Sequence, residues 1–562
     1  MKKKILSILP LAGVLFLGSC TNLTEKVLDE ASVAGLSDRQ AADGIMAPVY
    51  ARLPDLYSHT IYFALQEIST DEAILPYRGG TDWGDNGIYL SLHQHTTTST
   101  DPNVRNAWLL ALQGISRSIT ALNTLPTLND SVTKTYIAEA RGMRAFYNML
   151  LLDMFGLVFV KEDVNATSTI LRGNDALEYV KTELLAVEPN LSNTVGPGRL
   201  TKNAVYGLLA RLYLNAAVYR DRYATQFTFK PEDMDKVVEY TEKVINSGQY
   251  QLAPEYFSLF NSDNHDNKEL VFAIDQRAEL NGHNRLSYFS LSGDQFPLPA
   301  YPAANGTDGP AITSDFYRSW VAAYGTKDPS VDPRFYKQNI SIYTNPADSC
   351  VSANDFNIDR GILRGQQYGL LRVNGAFVKC ANGNFKVGKL FNVNRNKPTL
   401  AVNFTEQVDF TVAGSNYSTG YRVEKYEFSK KSTSGRNLGD ADIVILRLAD
   451  MYLMRAEAKL RKSSDAASAL ADVNTVRAAR TARMPAPPAL TTMNLDLLLR
   501  ERGFEFYWES QRRTDMIRYG KYEGIWTEKT NADVKKRLFP IPQTAIDGAS
   551  NLPGYLKQND SY

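Results

Sequence analysis

The chain has 562 residues, 44% hydrophobic and 22% charged, with 62 basic against 61 acidic side chains. A chain of that length can bury a large core, and its balanced charge offers no cationic surface for nucleic acid, so no nucleic-acid partner is expected. Tyrosine is abundant, 31 residues beside 24 Phe and 5 Trp, which provides for aromatic surface as well as aromatic core.

The first twenty residues read as a leader. Met1-Lys2-Lys3-Lys4 is basic, Ile5 to Phe16 is a short apolar run interrupted by Pro10, and Leu17-Gly18-Ser19-Cys20 has the form of a lipoprotein processing box. The run is too short to span a bilayer and reads as a signal peptide covering residues 1–19. Cleavage would leave Cys20 as the first residue and the lipidation site, carrying several acyl chains as a membrane anchor. An ordinary secretory leader with an incidental cysteine is the alternative. Without Lys2, Lys3 and Lys4, 62 basic residues become 59 against 61 acidic, so anchoring requires no basic patch. The other cysteines, Cys350 and Cys380, are either free or joined in a single disulfide.

Residues 20–36 form a polar tether, and 37–562 read as a single domain. Asp38 to Tyr57 is predicted as the first helix, and Phe63 to Glu67 continues in the same style. Helical character then stops: from Pro76 to Gly87, four glycines and a proline fall within a dozen residues. That loop concentrates Tyr77, Arg78, Asp82, Trp83, Asp85 and Asn86, a mixture that a structural turn does not require. Helical pairs resume at Val104 to Leu122 with Thr135 to Met154, and at Leu200 to Tyr219 with Met234 to Ser247. Asn174 to Glu188 is a single helix between them. Small residues at Ala204 and Gly207 would let a neighbour approach closely.

Between Gln249 and Asp440 short strand-like runs, such as Glu269 to Ile274 and Val408 to Val412, alternate with loops rich in Asn, Gly, Pro and Ser. An irregular stretch of this size implies a functional surface. Ile445 to Arg480 then returns to a helical hairpin of tetratricopeptide-like character. Leu446, Ala449, Leu453, Ala456 and Leu460 form one apolar face, and Ala466, Ala469, Leu470, Val473 and Val476 form the other, with Ser464 or Asp465 as the cap between them. The expected fold is therefore mostly α, a helical scaffold (mainly 38–247 and 443–520) carrying an irregular ligand-facing region (mainly 69–100 and 249–440) with a few short strands.

The catalytic inventory is thin. The five histidines, at 59, 93, 95, 265 and 283, match no metal-ligand spacing, although His93 and His95 would share a face if extended. Neither a phosphate-binding glycine loop nor a nucleophile elbow is present. Asp82 and Asp85, or another acidic pair, would have to serve as acid and base in a glycoside hydrolase, and two carboxylates in one loop are commonplace. No enzyme activity, cofactor or metal is expected.

The C-terminal segment is more specific. Residues 497–520 read LLLRERGFEFYWESQRRTDMIRYG and are followed by Leu538-Phe539-Pro540-Ile541-Pro542. On one helix, Glu501, Glu505, Glu509 and Arg512 or Arg513 would form a ladder of charged pairs, and their clustering makes sense if some are buried. Together with ILRLADMYLMRAEA, YIAEARGMRAFYNMLLLDMFG, the DEAILPYRGGTDWGDNG loop and the leader, this segment resembles the SusD/RagB family of outer-membrane nutrient-binding lipoproteins of Bacteroidota. The resemblance covers essentially the whole chain, although Ser510-Gln511 stands where the family often has a glycine. It implies an outward-facing lipoprotein of the cell outer membrane. Such a protein would bind an oligosaccharide or related nutrient and deliver it to a SusC-like TonB-dependent barrel. A non-catalytic adhesion protein is the alternative.

Glycan recognition stacks exposed aromatics on sugar faces and surrounds them with hydrogen-bonding groups. The expected platform is Tyr77, Arg78, Asp82, Trp83, Asp85 and Asn86, completed by Tyr288, Phe289, Trp320 and Tyr324, with Asp71 orienting the loop.

Overall fold

A computed structural model describes residues 36–562 except 79–86, 164, 278–279, 281–282, 296–297, 300–304, 339–348, 412–414, 430–439 and 484–486. Cys20, Asp82, Trp83, Asp85 and Asn86 thus lie outside the described residues. The fold is predominantly helical with short strands. Its first half comprises α1 (Asp38–Tyr50), α2 (Pro102–Thr124), α3 (Thr133–Phe155), α4 (Gly173–Val187), α5 (Lys202–Leu214) and α6 (Pro231–Ile245). After the irregular region, which contributes α7 (Ser314–Tyr324), come α8 (Leu448–Ser463), α9 (Ala466–Ala479), α10 (Leu495–Phe506) and α11 (Arg512–Arg518).

Local chemistry sets these boundaries. A capping box between Ser37 and Gln40 opens α1, and the Asp101 carboxylate accepts from the amides of Asn103 and Val104 to open α2. Gly156, at φ +72°, ends α3. The predicted first helix is in fact two: α1 stops at Tyr50, and Pro54 heads a separate turn, Leu53–Leu56. The hairpin breaks as expected, with Ser464 left-handed at φ +54° and Asp465 accepting from the Ser468 amide.

Sequential helices pack side by side, α2 on α3, α3 on α4 and α5 on α6, and the α8–α9 pair docks on α6. Leu446 is not helical: Ile443–Arg447 is a strand, paired antiparallel with Leu270–Ile274 and buried throughout. A β-carbon on Gly207 would lie 2.8 Å from Leu446 and 3.3 Å from Met451. The glycine thus admits both the strand and α8, as its small size predicts. Among the described residues no helix is long and apolar enough to cross a membrane.

The irregular region has a core of its own. Two- and three-stranded antiparallel sheets close over Leu291, Leu363, Val387, Leu390, Val402 and Phe404. Cys350 and Cys380 are joined and span 30 residues of this region. Val408 is buried against Ile74 and Ala311 rather than in a strand, and of the predicted Val408 to Val412 run the described residues, 408–411, form none.

A buried lattice of charge joins this region to the scaffold. Arg447 contacts Glu269 at 2.8 Å, Glu505 at 2.7 Å and Glu509 at 2.9 Å, and Arg480 bridges Glu269 and Glu505 at 2.7 and 2.5 Å. From the irregular region, Arg334 reaches Glu501 and Glu505, and the Lys425 ammonium reaches Glu509 at 2.7 Å while lying 4.1 Å from the Tyr507 ring centroid. The expected burial is present, but the expected ladder along one helix is not. α10 ends at Phe506, and Trp508 and Ser510 turn left-handed at φ +64° and +59°. Glu509 therefore leaves the helix, Arg512 pairs with Asp71, and Arg513 pairs with Asp153. Ser510 in a left-handed conformation accounts for the glycine that the family often has there.

Candidate functional site

The predicted ligand loop is rooted in the core. After a buried π-helical turn, Ala64–Ile68, Ala73 and Ile74 pair with Ile312 and Ala311, and the Thr313 amide donates to the Glu72 carbonyl. Thr313 also caps α7 by accepting from the Phe316 amide, so the loop base and α7 are set by one residue. Arg78 is buried, and its guanidinium donates to the carbonyls of Asp308 (2.9 Å), Gly309 (2.9 Å), Asn416 (3.1 Å) and Thr419 (2.7 Å). It ties three loops together instead of facing a ligand. Tyr77 is half-buried beside it.

The second half of the expected platform is core. Trp320 is 0% exposed and stacks on Phe504 with 3.7 Å between ring centroids. Tyr324 lies parallel to Trp320, and its hydroxyl donates to Asp332. Tyr288 is buried against His283 and Phe428, and Phe289 packs on His59 and Phe63. The physical reason is helical spacing: Phe316, Tyr317, Trp320 and Tyr324 recur on one side of α7 and bury it against α10, leaving no open face for a sugar at Trp320.

What remains open near α7 is a cleft of about 590 Å³ lined by Asp328, Tyr336, Arg364, Gly365, Phe404, Thr405, Glu406 and Tyr421. Its floor is the antiparallel pairing of Gly365 with Phe404. Gly365 has φ +68°, and a β-carbon there would meet nothing within 4 Å, so a ligand can approach the backbone directly. Half-buried Tyr336 and Tyr421 stand on its walls. The Tyr336 hydroxyl donates to Asp359 at 2.5 Å, and the Tyr421 ring meets Tyr317 edge-on at 4.7 Å. Arg364 donates to the Tyr317 hydroxyl (3.2 Å) and to Asp328 (2.9 Å), with its guanidinium over the Phe335 ring. Glu406 accepts from Arg318 at 2.8 Å. Each polar group is thus held in place before any ligand arrives.

Burial pushes the Tyr421 hydroxyl up to about 12, helped by the neighbouring Tyr317, so it stays a hydrogen-bond donor at neutral pH. Burial works to raise Asp328, but hydrogen bonds from Ser330 and Arg364 outweigh it and hold the carboxyl below its ordinary value. None of Tyr336, Arg364 or Tyr421 was singled out by sequence reasoning. Only the assignment of 249–440 as ligand-facing pointed to them.

Arg78 links the two regions. Its guanidinium bonds the Thr419 carbonyl, two residues before Tyr421.

The histidines serve structure. His93 faces the carbonyls of Ile68 and Thr527 at 2.8 Å, and His95 faces that of Ser69. Burial, with Lys529 nearby, depresses His95 to about 3. His265, Asp275 and Asp442 come together beside the central strand pair, but they are already engaged: His265 bonds Asp442 at 2.7 Å, the Gln276 amide bonds Asp442, and Arg277 holds Asp275.

Beneath the loop base lie Glu67 and Glu72, both buried, which accept from the amides of Gln511 (3.0 Å) and Trp508 (2.7 Å). Burial raises both carboxyls, Glu72 to about 7. For Glu67 repulsion from Glu72 adds to the rise, while Arg512 lies close to both and opposes it. Asp71 and Lys425 also face Glu72, with opposite effects. An unfolded chain ionises glutamate near about 4.3, so between there and about 7 the folded chain binds more protons and stability falls as pH rises. Urea unfolding from about pH 4 to 8 should show the stability difference between wild type and Glu67→Gln, whose amide can donate to Glu72, shifting against the wild type as pH rises. Equal slopes in the two proteins would contradict raised carboxyls at this pair.

With this geometry in hand, comparisons place the chain. Residues 246–562 match the SusD family model, and residues 63–214 match a second model described as starch-binding associating with outer membrane. The starch-binding protein SusD of Bacteroides thetaiotaomicron is 26% identical over 522 residues, covering 89% of this chain and 85% of its own. Among solved structures, a SusD homologue from Bacteroides thetaiotaomicron superposes with a TM-score of 0.67 at 17% identity, covering 94% of this chain and 98% of its own. A laminarin-binding SusD-like protein gives 0.62 at 18% identity, covering 94% and 100%. Surface glycan-binding protein A of Bacteroides thetaiotaomicron, solved with laminarihexaose, gives 0.62 at 18% identity, covering 92% and 99%. At these identities the structures establish a shared fold, and the family model, spanning more than half of the chain, establishes membership: the protein belongs to the SusD family.

Proposed function

We propose that this protein is a cell-surface glycan binder that captures an oligosaccharide without turning it over, and that the cleft between Tyr336, Arg364 and Tyr421 is the core of its binding surface. The observation that carries the reading is the cleft itself, which combines two fixed aromatic walls with a guanidinium and carboxylates held at its rim. That is the equipment for stacking on sugar rings and bonding their hydroxyls. Support comes from relatives described by starch, laminarin or laminarihexaose binding. Tyr77 and the loop residues Asp82, Trp83, Asp85 and Asn86 are proposed as the second part of the surface, because Arg78, their neighbour in sequence, bonds the Thr419 carbonyl two residues before Tyr421.

The wider setting is also a proposal. Cys20 would carry the acyl anchor, the protein would sit outward-facing on the outer membrane, and a SusC-like TonB-dependent barrel would receive the ligand. Among the described residues the sheets have only two or three strands, and none closes into a barrel that could pass a sugar through a bilayer. Recovery of the full-length protein from mild detergent without a barrel would remove that partner.

Titration calorimetry with laminari-, malto- and xyloglucan oligosaccharides, with product analysis of the same samples, tests the function. Binding without cleavage is expected, and Trp83→Ala should weaken it more than about tenfold, or about 1.4 kcal/mol, with far-UV circular dichroism unchanged. Hydrolysis of a bound sugar would overturn the binder reading. Unchanged affinity in folded Trp83→Ala would remove the loop from the surface.

A further inference from the structure

We infer that the cleft is built for an uncharged glycan and discriminates against sugars carrying carboxylate or sulfate groups. The inference rests on the binding role proposed above and deepens it by naming the class of ligand.

Charge accounting around the cleft carries the argument. Arg364 reaches the cavity, but Asp328 already takes it at 2.9 Å, and Asp328 is itself 57% exposed at the cleft edge. Arg318 stands outside, 72% exposed, and is paired with Glu406 at 2.8 Å, whose carboxylate is on the lining. The Asp359 carboxylate stands behind Tyr336, accepting its hydroxyl at 2.5 Å. Among the described residues, then, the guanidiniums at the cleft are each matched by a carboxylate.

An anionic sugar that reached the remaining N–H groups of Arg364 would lie against the Asp328 carboxylate already paired with it and near that of Glu406 on the same lining. Like charges brought together in a partly desolvated cleft are costly, which makes the paired acids a device for excluding acidic ligands as well as for fixing Arg364. A neutral sugar meets neither penalty. Arg364 retains N–H groups beyond the two engaged by Tyr317 and Asp328, and the exposed part of Asp328 can accept from hydroxyls. A ligand bound in this way adds no net ion pair, so its affinity should be nearly independent of salt.

The test is an array of neutral plant, algal and host oligosaccharides printed beside uronate-containing, sialylated and sulfated glycans, probed with the full-length protein in mild detergent. Representative binders would then be titrated at about 50 and 500 mM NaCl. We expect the bound set to be neutral, charged counterparts of equal length to bind at least about 30-fold more weakly, and the neutral affinity to change less than about twofold with salt. Asp328→Asn keeps a side-chain acceptor for the Ser330 amide while releasing Arg364, and Glu406→Gln does the same for Arg318. Either should narrow the discrimination severalfold by strengthening the acidic ligands. Acidic glycans binding as tightly as neutral ones, with steep salt dependence, would overturn the inference and leave the glycan-binding role standing. No binding to any member of the array would overturn that role itself.

Discussion

Replacing Glu505 with alanine is expected to destabilise the protein by about 3–5 kcal/mol, the range for stripping one partner from a buried ion network. The side chain is fully buried and accepts from Arg447 at 2.7 Å and Arg480 at 2.5 Å, with Arg334 at 3.3 Å. Burial alone would raise its pKa, yet those three arginines hold the carboxyl well below its ordinary value. Its contribution is therefore present above about pH 4.3 and is lost as the solution is acidified. Alanine leaves the guanidiniums in a dry site with less counter-charge, which costs more than the pair itself contributes. Chemical denaturation measures the loss directly, and Glu239→Ala is the control. Glu239 pairs with Lys236 and Lys243 at the surface, where each partner is at least 40% exposed, and removing it should cost less than about 1 kcal/mol. Equal effects at the two sites would mean that the lattice contributes no more than a surface pair.

The lattice also explains how a loop-rich region is held firmly enough to present a cleft. Arg334 precedes Tyr336 by two residues, and Lys425 follows Tyr421 by four. Both cleft tyrosines are therefore tethered, through short and buried segments, to the carboxylates of α10 and the turn behind it. The irregular stretch is rigid where the ligand surface needs it, because its charges end in the helical core.

Much of the scaffold was legible in the sequence because it is local. The α8–α9 hairpin follows from apolar spacing, the Ser464-Asp465 break and a single cap, all within about forty residues of chain. The end of α10 was not legible. The run from Leu497 to Arg513 keeps helical composition throughout, and it is tertiary contact, with Glu72 and Glu67 receiving the amides of Trp508 and Gln511, that bends it into left-handed turns without a glycine.

The cleft was illegible for a different reason. Tyr336 faces Gly361, Arg422 faces Leu363, and Gly365 faces Phe404, so its walls come from strands paired across tens of residues with no spacing rule to announce them. Trp320 misled in the opposite way. Aromatic content suggested a platform, whereas the recurrence at 316, 317, 320 and 324 was already a burial signal.

The second large effect is expected at the cleft itself. Tyr336 and Tyr421 are its aromatic walls, and each stacking face is worth about 0.5–1.5 kcal/mol beyond its buried area. Both are half-buried and pack against the cores behind the cleft, so truncation costs stability as well as binding, and the two losses have to be measured separately. The decisive measurement is the affinity of an oligosaccharide chosen from the array for the wild type and for the Tyr336→Ala/Tyr421→Ala protein, by calorimetry, with denaturation curves on the same preparations. A loss of about 100-fold, or about 2.7 kcal/mol, is expected in a double variant that is still folded at the assay temperature. Trp320→Phe, a change within the core, is expected to lower stability and leave affinity within about twofold. A folded double variant that binds the sugar as tightly as the wild type would contradict the assignment of this cleft as the binding surface.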